Sequence, residues 1–405
     1  MSSHAFARAP QLDIDTILQD RDVHILVCTG AGGVGKTTTA AALGLRAAES
    51  GRHVCVMTID PAKRLAQAMG LTSLDNTPRQ VPGVCAPDGS GSLFAMMLDM
   101  KRTFDEVVEG HADPDRAAQI LSNPFYQALS SSFAGTQEYM AMEKLGQLHA
   151  RAQEDGTWDL IIVDTPPSRS ALDFLDAPAR LGSFLDGRFI RILTAPARGA
   201  GRGLGRLAAM GFGIFTGVLT KILGGQVLAD LGTFVAAIDT TFGGFRERAD
   251  ATYALLKDPG TSFVVVAAPE RDALREAAYF VERLRTDDMP LAGLVLNRMQ
   301  VVDDPELTAE QAASGAQRLT ELVADSPDAA GLELTAALLE LHAQRMRMAD
   351  RQLHLADRFA AAHPGVPVGT VSALAGDVHD LAGLREVGGL LADITSEGAH
   401  RDQRD

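Results

Sequence analysis

Val27–Ala40 reads VCTGAGGVGKTTTA, and this stretch decides the fold class. Within it, Gly30-Ala31-Gly32-Gly33-Val34-Gly35-Lys36-Thr37 satisfies G-x-x-x-x-G-K-[S/T], with Thr38 directly behind. Glycines let successive backbone N–H groups turn inward around phosphate oxygens, and a helix starting behind them adds the positive end of its dipole. Lys36 is then placed to reach the β- and γ-phosphates, and the Thr37 hydroxyl to hold Mg²⁺. A chance glycine-rich turn would lack the flanking elements. Here an apolar run, His24–Thr29 (HILVCT), enters the loop, and a helical stretch, Thr37–Ser50, leaves it and is closed by Gly51.

Outward from the loop the pattern continues. His53–Asp60 (HVCVMTID) is a second buried strand, ended by Asp60-Pro61. The strand–loop–helix–strand order predicts an α/β fold with a doubly wound, mostly parallel sheet. Ser92–Asp99, Trp158–Pro167 (WDLIIVDTPP), Ser262–Glu270, Leu291–Arg298 and Val366–Leu374 are the further strand candidates. In open sheets of this kind ligands collect at the carboxyl ends of the strands. Those ends carry the glycine loop, Asp60, Asp164, Glu270 and Asn297. Asp164 follows the apolar run LIIV, a position from which a carboxylate holds the metal through water; a plain helix N-cap is the alternative. Asp60 is placed to orient or deprotonate an attacking water, with a turn ahead of Pro61 as its alternative.

Two segments fall outside the sheet. Residues 176–258 read as nearly continuous helix rich in Gly, Phe, Leu and Ile. Residues 327–361 read as one long helix, with Leu334, Leu338, Leu341, Met348, Leu355 and Phe359 at spacings of three, four or seven. That stripe predicts packing against the domain's own core. The expected organisation is an N-terminal extension over 1–21, one nucleotide-binding domain over 22–395 with helical segments near 100–153 and 176–258, and a flexible tail over 396–405.

Composition narrows the function classes. The 405 residues carry a formal net charge of −15, which opposes a nucleic-acid face. Cys28, Cys55 and Cys85 form no C-x-x-C pair, so neither a disulfide framework nor a zinc clamp is expected, and all three read as small buried hydrophobes. The N-terminus has no apolar core of signal-peptide length. The longest uncharged apolar run, Leu207–Thr220, falls short of the ~20 residues a bilayer span needs. A cytoplasmic protein, not integral to a membrane, is the expectation.

The glycine loop, TIDPAKRLAQAMGL (58–71), FAMMLDMKRTFDE (94–106), IIVDTPPSRSALDFLDAP (161–178), FVVVAAPE (263–270) and LVLNR (294–298) together resemble, in order and spacing, the ArsA-type anion-transporting ATPases. That family sits in the dimerising, deviant-Walker-A (SIMIBI) class of P-loop NTPases, beside MinD, ParA and the nitrogenase iron protein. The resemblance spans roughly residues 22–390. It implies that Gly30–Thr38 is the phosphate loop for ATP and Mg²⁺, and that Thr37, Asp60 and Asp164 surround the metal. Asp60 becomes the switch I aspartate positioning the hydrolytic water. Asp164–Ser170 (DTPPSRS) becomes switch II, relaying the γ-phosphate state to the helical region. Asn297 matches the asparagine that reads adenine, and Pro367 lies near the loop that covers the base; a turn and a plain strand-edge proline are their alternatives.

The departures are specific. The family has lysine second in the loop, reaching across a dimer to the partner's nucleotide; here that position is Ala31. Arg169 and Ser170 replace the usual Gly and His of switch II. Arg169, Lys63 or Arg64 could substitute for the missing cation, or a paralogue that keeps the lysine could supply it in a heterodimer; a homodimer would then hydrolyse slowly. The cysteines that bind arsenite in the pump are absent, which opposes an arsenite-pump role because As(III) needs soft ligands. The implied activity is a Mg²⁺-dependent ATPase whose nucleotide state switches a helical surface for a hydrophobic or helical client, with Phe212, Ile214, Phe215, Val218, Leu219 and Leu223 as candidates. A slow ATP sensor paired with a paralogue is the alternative.

Overall fold

Apolar runs with β-branched residues become strands here because both faces of each can be buried. A computed structural model describes residues 5–59, 64–124, 126–127, 136–166, 245–302 and 304–401. Among them eight strands form one sheet: β1 (Ile25–Gly30), β2 (His53–Thr58), β3 (Arg79–Gln80), β4 (Ser92–Met97), β5 (Leu160–Asp164), β6 (Thr261–Ala267), β7 (Leu291–Met299) and β8 (Val368–Ser372). Their order is β3-β4-β2-β5-β1-β6-β7-β8. Every pairing is parallel except the short edge strand β3, which runs against β4. The strand patterns predicted all but β3, which is too short to carry an alternation signal.

Eleven helices are described: α1 (Ile14–Gln19), α2 (Lys36–Glu49), α3 (Arg64–Ala68), α4 (Met100–His111), α5 (Pro114–Ser122), α6 (Thr136–Asp155), α7 (Phe245–Lys257), α8 (Arg271–Thr286), α9 (Ala309–Leu322), α10 (Ala329–Ala362) and α11 (Leu381–Arg401). Alternate strand residues feed two cores, one per face of the sheet. Leu26, Cys28, Val54, Val56, Ile162 and Val264 pack with α1, α2 and α11, while Ile25, Val27, Cys55, Met57, Val163 and Val265 pack with α4, α6 and α8. The helices expected between 176 and 244 lie outside the described residues.

Four expectations meet a different outcome. The segment before residue 22 is no appendage: Leu12, Ile14 and Leu18 are buried, and Val368 N donates to the Pro10 carbonyl. Helical spacing of Ile14 and Leu18 gives this short helix an apolar face, which docks beside β8. At the other end α11 continues to Arg401, past the expected boundary at 396. Cys28 and Cys55 are buried, but Cys85 is exposed. The apolar stripe of α10 reaches the core only at its carboxyl end, where Phe359 is buried and Leu355 packs beside it. Leu334, Leu338, Leu341 and Met348 are 64, 58, 52 and 44% exposed. The cause is length: 34 residues make a helix of about 51 Å, far longer than the strands it crosses.

Candidate functional site

The carboxyl ends of β1, β2, β5 and β7 converge on the glycine loop. β1 ends at Gly30 because nothing larger fits: a Cβ there would lie 2.0 Å from the Val266 carbonyl oxygen of β6. The loop turns through Gly33 (φ +77°) and Gly35 (φ +98°), left-handed positions that favour glycine, and α2 starts at Lys36. Lys36 is 7% exposed, and its Nζ donates to the Ala31 carbonyl at 2.7 Å. The ammonium therefore folds back over its own loop, where phosphate oxygens would meet it. Ala31 itself is buried in the apolar layer beneath.

Asp164 is fully buried at the end of β5, in register with Cys28 of β1 and Thr58 of β2. Its Oδ2 accepts from the Thr37 hydroxyl at 2.7 Å and from the Thr58 hydroxyl at 2.8 Å. The backbone around it is fixed as well. The Asp164 carbonyl accepts from Ile59 N, and the Thr165 N–H and hydroxyl both donate to the Cys28 carbonyl. Burial pushes the Cys28 thiol far up; the Asp164 charge adds to this and Lys36 opposes it, so Cys28 is an inert thiol under the loop. A hydroxyl and a carboxylate at the mouth of a phosphate loop are hard oxygen donors that suit Mg²⁺, which takes one or two protein oxygens and completes its shell with phosphate and water. Thr37 and Asp164 would hold it, and its charge would there balance that of the phosphates.

Asn297, at the end of β7, ties this edge together. Its Nδ2 donates to the Val34 carbonyl at 2.8 Å, and its Oδ1 accepts from Arg298 N. Beside it opens a cleft of ≈ 550 Å³ lined by Thr38, Thr39, Asn297, Arg298 and residues 371–378, a volume in the range of small-ligand sites. Pro367 stands at the opposite edge. It precedes β8, its carbonyl accepts from Leu294 N, and the five-residue strand puts it roughly 17 Å from the cleft end. The loop that reaches the cleft is 373–378. Asp60, Lys63 and Arg169 lie outside the described residues; Arg64 opens α3. Glu270 is exposed at the start of α8 and makes no side-chain cap bond.

Gly35 and Asn297 are coupled by contact: a Cβ on Gly35 would lie 2.2 Å from Asn297 Nδ2. Gly35→Ala is therefore expected to cost about 1–2 kcal/mol for the left-handed backbone, to displace the Asn297 amide from Val34, and to lower ATP affinity by about tenfold or more. Titration calorimetry checks this; wild-type affinity in the variant would dissociate the Asn297 contact from nucleotide binding.

Sequence reasoning missed Thr58 and the 373–378 loop. The rule that ligands gather at strand carboxyl ends, applied to every strand, would have pointed at both.

A strand–glycine loop–helix unit with Lys36, Thr37 and a buried aspartate on the adjoining strand defines a P-loop nucleoside triphosphatase. The family model described as "Anion-transporting ATPase" matches residues 23–321. The chain belongs to that family and is an ATPase. It is 27% identical over 296 residues to ATPase GET3 of Podospora anserina, covering 71% of this chain and 76% of that protein. It is 26% identical to ATPase ARSA2 of Chlamydomonas reinhardtii, covering 72% of each, and 26% identical to ATPase get3 of Schizosaccharomyces pombe, covering 74% of this chain and 79% of that protein. Among the described residues no helix is long and apolar enough to cross a membrane.

Proposed function

We propose that the chain is a cytoplasmic, Mg²⁺-dependent ATPase whose nucleotide state switches a helical surface that binds a client or partner protein. One observation carries this reading. Asp164 Oδ2 is shared between Thr37 of the phosphate loop and Thr58 of β2. Whatever engages the Thr37 hydroxyl changes the hydrogen bonding of the residue that opens the Asp164–Ser170 segment. Thr58 stands two residues before Asp60, so both proposed switch segments feel the same carboxylate. In this reading Lys36 and the loop N–H groups hold the phosphates, Asp60 positions the attacking water, Asn297 contacts the base, and residues 373–378 cover it.

Dimerisation across the nucleotide face, with a second copy or with a paralogue, belongs to the same proposal. Ala31 brings no cation to such an interface, because its side chain ends at a methyl group buried within its own subunit. That favours a second reading, a slow ATP-binding sensor paired with a lysine-bearing paralogue.

Hydrogen exchange with and without Mg²⁺-ATP tests the switch. Protection over residues 165–258 is expected to change on ATP addition, since the chain runs directly from Asp164 into that segment. Identical protection in both conditions would overturn it. An exchange response without appreciable turnover would select the sensor reading.

A further inference from the structure

The helix α10 is apolar on two opposite faces. α9 lies along one of them: Ala336 and Ala343 are buried, Leu339 lies against Gly315, and His342 Nε2 is 2.7 Å from the Leu307 carbonyl. Two residues further on, about 200° around the helix, stand the exposed Leu334, Leu338, Leu341 and Met348. Arg345 occupies the place left between Leu341 and Met348. The spacing is four, three, four, three, the repeat that seats a helix against another helix. The amino half of α10 also overhangs the sheet. Gln352 accepts from Gln300 N just beyond the carboxyl end of β7, so residues 329–348 project past the edge that carries the phosphate loop.

Charge selects the partner. Exposed Glu333 and Glu340 mark the amino half of this overhang, and exposed Arg345, Arg347 and Arg351 its carboxyl half. None of these five makes an ion pair among the described residues. A helix dipole favours such a division only in the terminal turns, and these charges lie inside them. We propose that this face pairs antiparallel with the same face of a second copy of the chain. A contact about a two-fold axis requires a self-complementary patch. Setting Leu338 against Leu341 of the second copy lays the acidic half of each helix along the basic half of the other. Arg345 then lies beside Leu334 and Glu333 of the second copy, whereas parallel pairing would set Arg345 against Arg345 in the seam. Leu334 to Met348 spans about 21 Å, and with α9 alongside the pair becomes a four-helix contact. The seam contains no nucleotide-binding residue, so the pairing does not depend on ATP and stands independently of the proposed switch.

Sedimentation velocity on the full chain without nucleotide tests this, comparing wild type with Leu338→Glu/Leu341→Glu. Wild type is expected to associate at micromolar concentration, and the variant about tenfold or more weakly, as for loss of buried interface anchors. Both substitutions sit on an exposed face, and unchanged ATP binding and thermal unfolding confirm the fold. In a Cys85→Ser background, mixed Leu338→Cys and Leu341→Cys chains should form the disulfide between unlike chains faster than Leu338→Cys chains cross-link with each other. A monomeric wild type, an equally strong dimer in the glutamate variant, or preferred cross-linking of Leu338→Cys to itself would each overturn the proposal.

Discussion

Lys36→Ala is expected to lower ATP turnover by about 10³-fold or more and to weaken ATP binding with it, as a cation facing the transferred phosphoryl group is worth that much. The side chain is nearly buried, and its ammonium lies 2.7 Å from the Ala31 carbonyl within the loop. Charge on phosphate oxygens entering the loop would meet it in a water-poor site, where Coulombic attraction is strong. Methyl truncation removes that charge in ground state and transition state alike, so affinity and rate fall together. Asp60→Asn gives the contrast. If Asp60 acts on the attacking water, its loss is felt only in the transition state, and turnover falls by about 10²–10⁴-fold with ATP affinity nearly unchanged. Phosphate release and equilibrium binding of a fluorescent ATP analogue measure the two quantities. Wild-type turnover in Lys36→Ala, or equal losses of binding and rate in Asp60→Asn, would contradict the assignments.

Arg52→Met should produce the largest stability loss outside the site. Arg52 is 1% exposed. Its Nε donates to Asp159 Oδ1 at 2.8 Å, and its two terminal nitrogens donate to the carbonyls of Leu18, Asp20, Val23 and Asp159. One guanidinium thus ties the end of α1, the approach to β1 and the approach to β5 to the start of β2. Asp159 is one-third exposed and also pairs with Arg21, so solvent screens the ion-pair share of the loss. The carbonyls, with little access to water, carry most of it. Breaking a buried charged network costs about 3–5 kcal/mol, and the lower end is expected here. Arg52→Lys should recover only part, because an ammonium cannot reproduce the planar fork. Because Arg52 sits at the amino end of β2, away from the loop, ATP affinity of the folded variant should persist. A denaturation midpoint corresponding to less than about 1 kcal/mol of loss would refute this role.

Much of the site was legible because its requirements are local. Positive φ and the absence of a side chain are demanded at Gly33 and Gly35 whatever packs around them, so the loop announces itself. Asp164 was legible because a carboxylate ending an unbroken apolar run has few other uses. Pro367 shows where this reasoning stops. A proline near the last strand looked close to the base, but only the pairing of β8 with β7 shows which edge of the sheet it stands on. Thr58 went unread for the same reason, since its hydroxyl matters only once β5 lies beside β2.

The chain's sequence by itself determined the strand–loop–helix unit, the two-faced burial of the sheet and the ATPase family, because these follow from backbone conformation and side-chain periodicity over short spans. Only the tertiary structure decided that residues 10–20 are part of the domain, that Arg52 binds three segments together, and that Asp164 is shared between Thr37 and Thr58. It also decided that most of the α10 stripe faces outward. Periodicity shows that a helix face is apolar; what covers that face depends on how far the helix outruns its neighbours, which arises only when distant segments are brought together.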